Sequence, residues 1–166
     1  MGITGKVGID VQLTDTRSGD LESGSLKTVM QQSWNLATAG VGADQADLLW
    51  SDKRTLASGA NEDIDVAGSL ASLFGAAVFA KVKAIVVVSF ANNTTNLTVI
   101  RQAPTGLPFL LADADGFILG PGDMFLITRR GAAGIAVAAG ADDVINIANA
   151  AGNSADYYIL VLGTAS

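Results

Sequence analysis

Any chemistry in this chain has to proceed without histidine and without cysteine, because the sequence contains neither. Nucleophilic and general acid/base catalysis usually draw on those residues, or on a Ser or Lys set beside a base. What remains is carboxylate and lysine chemistry. Asp63 and Asp65 alternate along an apparent strand, so both project from one face, as paired glycosidase carboxylates would. On a wet strand face such pairs are commonplace, and a solvated surface accounts for them without catalysis. Asp113-Ala114-Asp115-Gly116 resembles the opening of a calcium loop, in which alternate carboxylates wrap a hard cation. The twelfth position, where that loop needs a bidentate Glu, is Met124, and an ordinary Asp/Gly turn explains the run as well. Asp142-Asp143 is a weaker candidate still.

Other motifs fall short on spacing. Gly2 to Lys6 holds one Gly-Lys pair but lacks the spacing and terminal Ser/Thr of a phosphate loop, and Val7 begins a strand where a helix is required. The triplets starting at Asn92, Asn93 and Asn96 match glycosylation sequons, yet without a secretory signal they read as a polar hairpin loop. Trp34, Trp50, Tyr157 and Tyr158 are the candidates for a sugar-stacking platform. Aromatics more often plug a core or anchor an interface, and Trp34 is expected in the core. No catalytic, cofactor-binding or metal-binding residue is assigned, no cofactor is expected, and the chain is not expected to be an enzyme.

Composition narrows the partners. Hydrophobic residues make up 49% of the 166 and charged residues 16%, which leaves a sparsely charged surface that other subunits could cover. The net charge is -6 and residues 131–166 carry no Lys or Arg, so direct contact with nucleic acid is disfavoured. Residues 1–6 lack the apolar stretch of a secretory signal, and Lys6 stands where a myristoylation signal wants Ser or Thr. The apolar runs 84–88 and 131–141 are far shorter than the roughly 20 residues that cross a bilayer, so no membrane association is expected.

The elements that would position these residues are strands. Two alternating runs, Val7-Ile9-Val11-Leu13 and Met30-Trp34-Leu36, predict strands joined by a loop over 15–25. From Ala46 the rhythm is regular, and strands are predicted over 48–56, 63–66, 78–90, 96–101, 123–129, 134–138, 143–148 and 156–162. In the longest, Val78, Ala80, Val82, Ala84, Val86, Val88 and Phe90 form the buried face, with Lys81, Lys83 and Ser89 opposite. Turn formers such as Gly120-Pro121-Gly122 and Ala151-Gly152-Asn153 separate the runs. A single turn or short helix is predicted over 68–77 from Leu70, Leu73, Phe74 and Ala77, a pattern that Gly75 interrupts. Together these predict an all-β, jelly-roll-like antiparallel sandwich over 46–166 with an N-terminal β arm or extra strands over 1–45.

The step ‘DIDVAGSL’ into a long apolar strand, the ‘GPGD’ turn before a strand and the closing ‘NIAN…YYILVLG’ hairpin carry a family likeness. Over residues 46–166 the chain resembles jelly-roll virion proteins of tailed bacteriophages, of the head decoration, cement or head-fibre type. The likeness implies a virion structural protein, assembled in the host cytoplasm, that bridges neighbouring capsid subunits. Its partners would be the major capsid protein or other virion subunits, with a homo-oligomer, trimer or dimer, as the assembled form. The alternative is a receptor- or carbohydrate-binding module of a phage fibre or tail. No functional residue carries over, and the first 45 residues have no counterpart in it.

Overall fold

The computed structural model describes residues 3–18, 23–36, 38–68, 70–73 and 75–165, and every regular element among them is a β-strand. In chain order these are β1 (Gly5–Ser18), β2 (Ser23–Leu36), β3 (Leu48–Leu56), β4 (Asn61–Asp65), β5 (Leu70–Ser72), β6 (Gly75–Ala77), β7 (Lys81–Ser89), β8 (Leu97–Ile100), β9 (Gly116–Leu119), β10 (Met124–Thr128), β11 (Ile135–Ala136), β12 (Val144–Asn149) and β13 (Ala155–Thr164). The body is a sandwich of two antiparallel sheets. One has the order β10-β7-β13-β3, with β11 also on β7; the other runs β4-β12-β8-β9.

Between them lies one buried cluster, in which Trp50, Ile85, Val87, Tyr157, Ile159 and Val161 meet Ile64, Leu97, Val99, Ile145 and Ile147. These strands form because β-branched and aromatic residues fit a pleated surface whose alternate positions are buried. Each fully buried Ile or Val contributes on the order of 1.5–3 kcal/mol. Asn149 ties the turns together at one end: its side-chain amide donates to the carbonyls of Leu56, Ala57 and Asn153, and its carbonyl accepts from Thr95.

All eight strands predicted after Ala46 are present, with ends that differ by a few residues. The helix predicted over 68–77 is instead the small hairpin of β5 and β6, with Leu70 opposite Ala77 and Ser72 opposite Gly75. Leu73 is 90% exposed, so the helical spacing marks no buried stripe, and the Trp50 indole draws the carbonyl of Ala71 to itself at 3.0 Å. β9 was not predicted, because its four residues are too few to show a period. The loop predicted over 15–25 is also shorter than expected: pairing of β1 with β2 continues to Ser18 opposite Ser23.

The two faces of β7 exchange at Lys83. Ala84 lies opposite Leu162 and Val82 opposite Gly163, so Lys83 is the extra residue of a β-bulge. Before it Val82 points into the core; after it Ile85 and Val87 do, while Ala84 turns outward. An unbroken period of two would bury Val86 and Val88 and leave Lys83 and Ser89 in water. The bulge exchanges the later residues: Val86 and Val88 are half-buried on the outer face and Ser89 is 1% exposed, while Lys83, at 0%, is covered by the loop carrying Val41 and Gly42. One inserted residue is enough, since a slip of one moves every later side chain to the opposite face. Gly163 faces the bulge so closely that an added Cβ would lie 2.0 Å from the carbonyl oxygen of Lys81.

Candidate interaction surface

β1 and β2 pair from Gly5 opposite Leu36 outward, and fourteen residues in each make an arm. At about 3.3 Å per residue it is roughly 45 Å long. Its cross-strand pairs divide the chemistry unequally. One face bears Val7–Trp34, Ile9–Gln32, Val11–Met30, Leu13–Thr28 and Asp15–Leu26; the other bears Lys6–Asn35, Gly8–Ser33, Asp10–Gln31, Gln12–Val29 and Thr14–Lys27. The first face is an apolar stripe with polar residues at its edges, and the second is polar except for exposed Val29.

The stripe begins buried and ends exposed. At its root Trp34 and Leu36 pack with Ala46, Ala84 and Leu162, flanked by Ile3, Val7 and Leu160. Residues on both sides of position 45 therefore share one cluster on the outer face of the β7-containing sheet. Loop 38–47 is fastened beside it: the Lys83 ammonium donates to the carbonyls of Val41 and Gly42, and Arg130 pairs with Asp44 at 2.7 Å. That hydrogen bond from Arg130 holds the Asp44 carboxyl below the usual carboxylate range. Farther out, Ile9, Leu26, Leu13 at 62% and Met30 at 59% are exposed.

The outer face of that sheet is apolar beyond the root as well. Three rows cross it: Thr128-Ala84-Leu162-Leu49, Leu126-Val86-Leu160-Ser51 and Met124-Val88-Tyr158-Lys53. The arm root covers Ala84 and Leu162 of the first row, and Leu49 at its far end is exposed. The second is half-buried apart from exposed Ser51, and in the third Met124 and Tyr158 are exposed, the latter at 53%. Phe90 lies against Tyr158 with ring centroids 4.6 Å apart, and Lys53 stands 5.0 Å over the Phe90 ring. Between arm and sheet is a cleft of about 80 Å³ lined by Ile9, Gln32, Trp34, Leu126, Thr128 and Arg130. Among the described residues, the Trp34 indole Nε1 is buried there without a hydrogen-bond partner.

The carboxylates considered for chemistry are held in structural roles. Asp63 and Asp65 are exposed on one face, as the alternation predicts, but Asp63 accepts from the Asn146 amide at 2.6 Å and Asp65 from the backbone amides of Ala67 and Gly68. Asp113 pairs with Arg101 at 3.2 Å, and Asp115 accepts from the amide of Ala112 to close its own turn. Asp143 is buried and accepts from the amide of Gly140, while Asp142 is half-buried beside it. Among the described residues, no three His, Cys, Asp or Glu side chains converge as metal ligands.

The four aromatics do not form one platform. Trp34, Trp50 and Tyr157 are buried in two different clusters, and only Tyr158 faces outward. In the sequon segment Asn93 is knitted into the fold, donating to Ser89 and Asp156 and accepting from the amide of Asp156. Lys6 is exposed on β1, and Gly2 lies outside the described residues. The outer sheet face was missed by sequence reasoning; a lysine inside an apolar run, Lys83, was the available sign of a bulge. No family model, curated protein or solved structure matches the chain.

Proposed function

We propose that this protein is a structural subunit of a tailed-phage virion, a capsid decoration or cement protein whose jelly-roll-type body and arm bridge neighbouring capsid subunits. The observation that carries the reading is the arm, an apolar stripe fixed at its root and exposed farther out at Ile9, Leu13, Leu26 and Met30. Contiguous exposed apolar surface of this kind favours contact with other subunits. Adhesion by many copies on one particle gains avidity that a single narrow contact lacks. Partners in this reading are the major capsid protein and further copies of the chain, in a closed trimer or dimer on the virion, after assembly in the host cytoplasm.

The test is binding of the purified chain to heads of the phage that encodes it, followed by co-sedimentation. The chain should sediment with the heads and raise their resistance to heat, and Leu13→Asp should abolish both effects. Heads that neither bind it nor gain resistance would overturn the reading. A second reading, a receptor- or carbohydrate-binding module of a fibre or tail, is favoured by the exposed Tyr158 set against Phe90. Binding to a glycan array that is lost in Tyr158→Ala would select it.

A further inference from the structure

We infer that the exposed stripe of the arm seats on the outer sheet face of a second copy of this chain; this rests on the adhesive reading above and names what the arm adheres to. The chain already shows this contact in miniature. At the arm's root, the face carrying Val7 and Trp34 packs on the outer face carrying Ala84, Leu160 and Leu162. Both halves of that contact then continue outward in one chain, meeting only across the small cleft where Ile9 and Leu126 stand on opposite walls. Ile9, Leu13, Leu26 and Met30 prolong the arm's half, while Val86, Val88, Leu126, Met124 and Tyr158 prolong the sheet's half.

Size favours mutual seating of arms. The exposed stretch from the Ile9–Gln32 pair to the Asp15–Leu26 pair spans seven cross-strand pairs. Two strands of that length present roughly 220 Å² and would cover about as much of the receiving sheet. A single seated arm thus buries roughly 450 Å², well under the roughly 1,200 Å² at which specific interfaces begin, whereas two arms exchanged reciprocally approach that figure and three in a ring reach it. A closed symmetric oligomer supplies that arrangement without leaving an arm unused.

Absence of cysteine makes a direct test clean. Met30→Cys and Tyr158→Cys chains, mixed and oxidised, should form a disulfide-linked pair at least tenfold more abundant than a control mixture of Met30→Cys with Asp63→Cys. In sedimentation at micromolar concentration the full chain should run as a dimer or trimer, and Met30→Asp and Tyr158→Asp should each run as one chain with unchanged circular dichroism. A full chain that runs as a monomer, oligomers that survive both substitutions, or cross-linking no greater than the control would each overturn the inference. Head binding by a monomeric chain would leave the decoration reading standing and remove this one. Arm exchange without head binding would uphold this inference and remove that reading.

Discussion

The ammonium of Lys83 donates to the carbonyl oxygen of Gly42, with that of Val41 3.4 Å away, and so joins the β7 bulge to the loop that follows the arm. Burial pushes this lysine below its ordinary value of 10.5, with Lys81 adding to the shift and Asp44 and Asp47 opposing it. Lys83→Met keeps the aliphatic stem and removes the donor, which should cost about 1–3 kcal/mol in urea unfolding because two carbonyls lose their partner. The sign of the pH effect follows from proton binding. Between the lowered value and 10.5 the unfolded chain binds more protons at this site, so wild-type stability from it rises with pH. The gap between wild type and Lys83→Met should widen as pH climbs toward 10.5, and a constant gap would refute the shift.

Neighbouring valines on β7 should behave oppositely. Val87 is wholly buried between the sheets, and an unpaired carboxylate there costs at least several kcal/mol, comparable to a domain's whole stability of about 5–15. Val87→Asp should therefore fail to fold. Val86 is half-buried on the outer face, so Val86→Asp should keep native circular dichroism with a modestly lower Tm. If Val86→Asp is the one that unfolds, the bulge at Lys83 is misplaced.

Shortening the arm should separate its two roles. Joining Gly8 to Ser33, which are opposite each other, through an Asn-Gly turn removes the exposed stripe and keeps Val7, Trp34 and Leu36. That chain should melt within a few degrees of wild type. Trp34→Ala, by contrast, empties the root cluster and should cost about 3–5 kcal/mol. Equal loss of stability in the two variants would mean that the outer arm also supports the body.

Tyr157 should weaken the fold at alkaline pH. Its hydroxyl donates to Glu62, which also pairs with Arg54 at 3.0 Å. Burial first, then the bond to Glu62 and its charge, raise the phenol well above its ordinary 10.0. A raised folded value gives stability that is complete below 10.0 and is lost as pH rises beyond it. Tyr157→Phe should cost about 1.5–3 kcal/mol at neutral pH, since it removes a hydrogen bond to a carboxylate. Above pH 10.0 its Tm should then fall less steeply than that of wild type, and parallel curves would contradict the assignment.

Much of this protein was decided within short windows of sequence. Period-two runs bounded by Gly, Pro, Asn and Asp specify β3, β10, β12 and β13, and the alternation of Val7 to Leu13 specifies the apolar side of the arm, because pleat and burial act on neighbouring residues. Absence of His and Cys likewise restricts side-chain chemistry before any fold exists. Tertiary structure decided which face of β7 is inside, since the extra residue at Lys83 is defined only against Leu162 and Gly163 on a strand some eighty positions away. It also decided that Trp34 and Ala46 share a cluster, that Asp63, Asp65, Asp113 and Asp115 are occupied by local hydrogen bonds and ion pairs, and that 70–77 is a hairpin. The turns closed by Asp65 and Asp115 are local, but the others depend on a partner distant in sequence or on the space left by a packed neighbour, and no local period records either.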